Sequence, residues 1–233
     1  MQKMLVCDFD NTVKVSSKYI THLNFDAIKR FRNNGNKLVF ASGRYFNSLK
    51  RQLNYYACEY DALICNNGGI AFDNNDNRIF NDNISEEKIL QLIYYFYGQN
   101  PSLFYDIRKY NYKGYTHSCN NILKMVVFLR PFRNHSKIIK ELNNHFQDLR
   151  FHLSNNHIHI RNKGSKSDGI KKLNEIYKIP EENIYTVGNG KRDYEMIRDY
   201  NGYNTIISHP SLYLVSNGTV SNVAKLVKKI ENK

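Results

Sequence analysis

Residues Met4-Leu5-Val6-Cys7-Asp8-Phe9-Asp10-Asn11-Thr12-Val13 run four apolar side chains into two carboxylates one residue apart. A short, unbroken apolar run ending in polar turn residues predicts a strand buried on both faces, as in a parallel sheet. In an open α/β sheet, ligands bind in the crevice beyond the carboxyl ends of the strands, so this run would deliver Asp8 and Asp10 to the mouth of such a crevice. Carboxylates there can hold a hard cation such as Mg²⁺, and one of them can attack phosphorus. Read alone, the stretch is equally compatible with a turn in which both side chains cap backbone groups.

Outward from this stretch the same pattern recurs. Leu23, Phe25, Ile28 and Phe31 give residues 20–34 a weak helical face, which ends before Gly35. Lys37-Leu38-Val39-Phe40-Ala41 reads as a second buried strand, stopping at Ser42-Gly43-Arg44. Strand, helix, strand and polar turn make a βαβ unit, and the Ser42-Gly43 turn can offer a hydroxyl and backbone N–H groups to a phosphate ahead of a helix over 46–55. A plain strand-to-helix turn is the alternative. A third strand, Ala62-Leu63-Ile64-Cys65, ends at Asn66-Asn67-Gly68-Gly69, followed by a hairpin-like segment over 70–80.

From about Ser85 the pattern changes. Ser85 can cap a helix running to about Tyr97, with Glu86 and Glu87 suited to its positive end. Strands over 103–107 and 122–129, a helix over 136–146 and strands over 150–153 and 157–160 follow. This α-β-β-α-β-β order predicts a smaller domain, an antiparallel sheet with helices on one face. Within it, Arg108-Lys109-Tyr110-Asn111-Tyr112-Lys113-Gly114-Tyr115 mixes bases with rings. That composition suits contact with a substrate or bases, and equally a solvated hairpin loop, which is the expectation here. His152, His157 and His159 lack a Cys or acidic partner at ligand spacing, so they are read as strand residues rather than a zinc site.

The parallel-sheet pattern returns after Gly164. Ser165-Lys166-Ser167-Asp168-Gly169 opens an amphipathic helix closed by Pro180, and Ile184-Tyr185-Thr186-Val187 is a buried strand ending at Gly188-Asn189-Gly190-Lys191-Arg192-Asp193. A last strand is expected over 204–207 and a last helix over 222–230.

Composition narrows the class. With 41% hydrophobic and 24% charged residues in 233, the chain has an ordinary globular balance and enough length for a full core. The formal charge is +13, yet the bases are spread along the chain in clusters as short as Lys171-Lys172 and Lys228-Lys229, so a nucleic-acid partner is not expected. A small anionic substrate would gain from the same field. No apolar run of signal-peptide or membrane-spanning length occurs, and Cys7, Cys58, Cys65 and Cys119 show no pairing pattern; a cytoplasmic protein with reduced thiols and no membrane contact is expected. Oligomeric state is not legible.

Taken in order, these strand ends resemble the haloacid dehalogenase-like hydrolase superfamily, specifically its Cof-type sugar-phosphate phosphatases. Asp8-x-Asp10-x-Thr12 is similar to the first motif and Phe40-Ala41-Ser42-Gly43-Arg44 to the second. Residues 165–170 are similar to the third and residues 188–196 to the fourth, with Asn67-Gly68-Gly69 where that branch carries an asparagine-glycine turn. The resemblance covers essentially the whole chain. It implies an α/β fold: a Rossmann-like core with a helix-flanked parallel sheet over residues 1–82 and 161–233. Only 34 positions separate Asp8 from Ser42, against 124 between Ser42 and Lys166, so residues 83–160 would be a minimal type-2 (C2B-like) α+β cap that selects the substrate.

The resemblance also implies roles. Asp8 would be the nucleophile and Asp10 the general acid/base, with Ser42, Gly43 and Lys166 binding phosphate. Mg²⁺ would be held by Asp8, Asp10, Asn189 and Asp193, and Arg44, Asn67 and Arg192 would stand at the site edge. The substrate would be a small phosphorylated metabolite, a sugar phosphate or phosphoglycolate-like compound. Three positions depart from the family pattern: Asn11 replaces a glycine, Asn189 replaces an aspartate that usually ligates Mg²⁺, and Arg192 replaces an asparagine. Weaker metal binding would follow, because an amide oxygen brings no charge. A phosphate-binding or regulatory protein on a weakened site, or phosphomutase-like transfer, are the alternatives.

Overall fold

The computed structural model describes residues 1–99, 101–131 and 135–232. In chain order come β1 (Met4–Cys7), α1 (Lys18–Asn33), β2 (Lys37–Ala41), α2 (Phe46–Tyr55), β3 (Ala62–Cys65), β4 (Ile70–Asp73) and β5 (Arg78–Asn81). Next are α3 (Glu86–Tyr94), β6 (Phe104–Asn111), β7 (Gly114–Thr116), β8 (Lys124–Leu129), α4 (His135–His145), β9 (Leu149–Ser154) and β10 (His157–Asn162). The chain ends with α5 (Lys166–Tyr177), β11 (Ile184–Gly188), α6 (Tyr194–Asp199), β12 (Asn201–Thr205), β13 (Thr219–Val220) and α7 (Val223–Glu231). Two compact units result: residues Met1–Phe80 with Gly164–Lys233, and residues Asn81–Lys163. No helix among the described residues is long and apolar enough to cross a membrane.

The first unit is built on a sheet of order β13-β12-β11-β1-β2-β3-β4-β5. Strands β13 through β3 run parallel, and β4 turns back antiparallel on β3. β1 lies between β11 and β2, the most enclosed place in the sheet, and all four of its side chains are fully buried. Met4 and Val6 pack with Ile170, Leu173, Met196 and Ile197 from α5 and α6. Leu5 and Cys7 face the other way by strand alternation, where α1 and α7 pack together with Phe25, Ile28, Leu226 and Ile230 buried. Two helical layers explain why β1 is apolar at every position rather than at alternate ones.

One strand lies off its expected place. β12 covers Asn201–Thr205, whereas Ile206 and Ile207 are 59% and 87% exposed. Asn204 is fully buried because its amide donates to the Thr205 carbonyl while its Oδ1 accepts from Ser216 and Thr219. A polar residue whose bonding capacity is met inside the sheet hid the strand, and two solvent-facing isoleucines imitated one.

The second unit is an antiparallel sheet of order β7-β6-β8-β10-β9. Ile89, Leu92, Phe96, Leu142 and Phe146 from the helical segments pack on Met125, Val127, Ile158 and Ile160 of one sheet face. β10 shows the alternation plainly, with Ile158 and Ile160 buried while His157 and His159 stand on the opposite face. The hairpin expected over 108–115 is present, but it is strand up to its turn: β6 continues to Asn111, and Asn111 Oδ1 accepts from the Lys113 and Gly114 amides to make the turn into β7. Bases and rings at every second position satisfy a sheet with one open face, although they read as loop composition.

Candidate active site

The carboxyl ends of β1, β2, β3 and β11 converge in the first unit. Asp8 follows β1 directly, and its amide donates to the Val187 carbonyl at 2.9 Å, extending the β1–β11 ladder by one residue. Its side chain is buried, with Oδ1 2.5 Å from Lys166 Nζ and Oδ2 accepting from the Thr12 hydroxyl at 3.0 Å. Burial pushes the Asp8 carboxyl up to about 6, against the opposing pull of the Lys166 ammonium.

Lys166 reaches this point because α5 begins there. Ser165 caps the helix: its hydroxyl accepts from the Asp168 amide, while Asp168 Oδ2 accepts from the Ser165 amide at 2.8 Å. Gly68, at φ +101°, lets the turn after β3 press against this cap, since a Cβ there would stand 1.9 Å from the Ser165 carbonyl oxygen. Lys166 Nζ also bonds Asp193 Oδ1 at 2.6 Å and is 3% exposed. Two carboxylates hold its pKa above the ordinary lysine value in spite of the desolvation that burial imposes.

Asp193 closes the β11 turn as well. Its Oδ2 accepts from the Asn189 and Gly190 amides at 2.9 and 2.8 Å, so both of its oxygens are engaged within the protein. Gly188 makes room for it, because a Cβ there would lie 2.6 Å from the Asp193 side chain. Asn189 Oδ1 lies 3.0 Å from the Thr12 hydroxyl, which is also 3.0 Å from Asp8 Oδ2. Thr12 therefore ties the nucleophile candidate to the residue that departs from the family pattern. Its role was not read from the sequence, although its place four residues after Asp8 is the available signal.

Asp10 is separated from this cluster and half exposed. Arg44 holds it in a two-pronged bond, Nε to Oδ2 at 2.7 Å and Nη2 to Oδ1 at 2.8 Å, with Nη1 on Ser48 at 3.0 Å. Arg44 thus touches the acid/base candidate directly. Ser42 is buried and its hydroxyl accepts from the Arg44 amide at 3.2 Å. Asn66 and Asn67 both adopt left-handed backbone (φ 52° and 57°) so that their amides reach the Arg44 and Ser42 carbonyls. A Cβ on Gly43 would meet the Asn67 side-chain amide at 3.1 Å, so the turn after β2 is packed closely. Arg192 is exposed in the turn Lys191–Asp193, away from these contacts.

The donors suit a hard cation. Asp8 Oδ2 and Asn189 Oδ1 each lie 3.0 Å from the Thr12 hydroxyl, and both are oxygen donors of the kind such an ion takes. Among the described residues no cluster of three or more His, Cys, Asp or Glu side chains forms, so any such ion would be held with little protein charge.

The sequence model of the haloacid dehalogenase-like hydrolases matches residues 5–124 and 104–203. No curated protein matches. Among solved structures, a HAD/COF-like hydrolase of Plasmodium vivax is 19% identical, with a TM-score of 0.78 over 99% of this chain and 96% of its own. A Bacteroides thetaiotaomicron protein described among the phosphatases of that superfamily is 16% identical, with a TM-score of 0.79 over 100% and 95%. A Thermotoga maritima protein is 16% identical, with a TM-score of 0.81 over 98% and 97%. At these identities the likeness is one of fold.

Proposed function

The chain belongs to the haloacid dehalogenase-like hydrolases, and from that premise we propose that it is a Cof-type, Mg²⁺-dependent phosphatase of a small phosphorylated metabolite in the cytoplasm. The observation that carries the proposal is the Lys166 bridge: one buried ammonium holds Asp8 and Asp193 from the ends of two adjacent parallel strands. Such a group lets an anionic nucleophile meet an anionic phosphate.

Asp8 attacks phosphorus, forming an aspartyl phosphate as the bond to the alcohol oxygen breaks, and that oxygen takes a proton from Asp10. Asp10 then removes a proton from water. The water oxygen attacks phosphorus, releasing inorganic phosphate and restoring both carboxyl groups. Ser42 and the amides of its turn hold the phosphoryl oxygens, and Arg44 keeps Asp10 oriented through both steps. Asp8, the Asp10 carbonyl and Asn189 would hold the Mg²⁺, with Asp193 supporting the turn behind them; the bound ion supplies charge to the transferring phosphoryl group.

Phosphate release from a panel of sugar phosphates, phosphoglycolate and p-nitrophenyl phosphate, with Mg²⁺ titrated to high concentration, tests this. Turnover that is lost in Asp8→Asn is expected. Absence of turnover at every Mg²⁺ level, alongside measurable phosphate binding, would instead favour a binding or regulatory role, for which the uncharged Asn189 is the supporting observation.

A further inference from the structure

One polar group at the carboxyl end of the first unit's sheet is buried and left without a partner. Asn66 follows β3 directly and is 9% exposed, and its side-chain Nδ2 has no hydrogen-bond acceptor among the described residues. Burying an amide donor unpaired forfeits the bonds it made to water, so native structures rarely leave one in that state. Nor does the backbone demand this residue. Asn66 has φ 52°, which asparagine tolerates, but glycine would adopt the same conformation with no side chain to bury. The unpaired amide calls for a reason of its own.

Its place supplies one. The Asn66 backbone N–H donates to the Arg44 carbonyl at 3.0 Å, and the next residue, Asn67, donates to the Ser42 carbonyl at 2.9 Å. The Asn67 side chain lies against Gly43 as well, where a Cβ would stand 3.1 Å from it. The two asparagines therefore divide the turn after β2 between them. Asn67 stands at the Ser42–Gly43 end, which takes the phosphoryl oxygens in the proposed reaction, and Asn66 stands at Arg44. Arg44 grips Asp10 through Nε and Nη2 at 2.7 and 2.8 Å, and Asp10 is the group that gives its proton to the departing alcohol. Asn66 thus belongs with the leaving-group side of the site. Gly68, two residues on, is pressed against Ser165 at the start of α5, so residues 66–68 are fixed from two directions and a donor there is held in place before any ligand arrives.

We propose that Asn66 is a specificity-determining residue: its Nδ2 donates to an oxygen that the leaving alcohol carries on the carbon next to the esterified one. The substrate class is then a phosphorylated sugar, polyol or hydroxy acid with a hydroxyl or carboxylate at that carbon, as opposed to a simple alkyl or aryl phosphate. A phosphoryl oxygen suits the amide less well, because Ser42 and the amides of its turn already serve that side. A buried donor that one substrate completes and another leaves bare discriminates strongly between the two. The inference rests on the phosphatase reading, since it takes Asp10 as the proton donor to the leaving group.

The test uses a matched pair of esters, glycerol 1-phosphate and propyl phosphate, which share a carbon chain and differ in their hydroxyls. The full chain should turn over glycerol 1-phosphate with a kcat/KM at least about tenfold above that for propyl phosphate, and Asn66→Gly should bring the ratio close to one. The glycine variant keeps the left-handed backbone and removes no side-chain hydrogen bond, so it should melt near the parent; a role in the fold alone would lower the melting temperature and leave the ratio as it was. A ratio unchanged in Asn66→Gly overturns the proposal, and so does a parent that handles both esters equally. Binding separates this from failure of the phosphatase reading. In Asp8→Asn, calorimetry should show glycerol 1-phosphate bound more tightly than propyl phosphate, with the difference lost when Asn66→Gly is added. That difference without turnover of either ester by the parent would remove the phosphatase reading and retain Asn66 as the group that reads the neighbouring oxygen. Equal binding of the two esters, or none, would remove Asn66 as well.

Discussion

Asp8 is subject to two opposed influences, and its pH behaviour shows which prevails. Its ordinary pKa is 3.8, and burial raises it to about 6 despite Lys166. Between these values the native state keeps a proton that the unfolded state has lost, so this group's contribution to stability declines as pH rises from about 4 to 6. Denaturant midpoints measured with a chelator across pH 4–7 should show that decline, and Asp8→Asn should flatten it. Asn189→Asp restores a charge beside Asp8 and should tighten Mg²⁺ binding about tenfold, or ~1.4 kcal/mol; unchanged affinity by calorimetry would remove residue 189 from the ligands. Arg44→Met frees Asp10 from its clamp and should lower kcat by about 10–100-fold with little change in KM, since the loss is one of orientation. Asp8, Asp10, Ser42 and Lys166 were legible because each closes an apolar run or opens a helix. The Thr12 hydroxyl between Asp8 and Asn189 was not, because it depends on how β1 and β11 align, 177 residues apart.

Helix α5 shows an element doing the work of positioning. Its first residue is Lys166, so whatever sets the helix start sets the ammonium. The Ser165–Asp168 capping box does so, and its three-position spacing could be read directly from the sequence. Ser165→Ala should cost about 1 kcal/mol in unfolding free energy and lower activity beyond what that loss of stability explains, as seen by comparing melting with single-turnover rates. Gly68→Ala should be more harmful, because the backbone of α5 itself would have to retreat. Short elements resisted sequence reading. α6 has six residues and β13 two, too few for periodicity to declare them. The strand content of the β6–β7 hairpin was missed for a different reason: an open sheet face is under no pressure to look apolar.

At the scale of the molecule, each unit carries its own core. Phe96 is fully buried in the second unit's cluster, and Phe96→Ala should cost roughly 3–5 kcal/mol there. Hydrogen exchange should show faster opening across residues 81–163 with the protection of β1 and β11 intact, which would separate the units energetically. That the chain alternates strand and helix, changes style in the middle and then resumes was enough to identify a core with an insertion; the order of the eight strands was not. Sheet order is a matter of which edges meet, and apolar runs of equal length carry no address.

The bond between Lys166 and Asp8 spans 158 positions, and β1 takes β11 as one of its two neighbours. During synthesis, then, the strand that ends at Asp8 emerges before β11 and waits for that partner until the whole second unit has been made. Through that interval β1 has one open edge, its four side chains all apolar and buried only in their final setting, and such an edge invites pairing with another chain. A nascent chain halted near residue 163 would be in that state, its second unit able to collect its own strands while the sheet of the first unit stands open on one side.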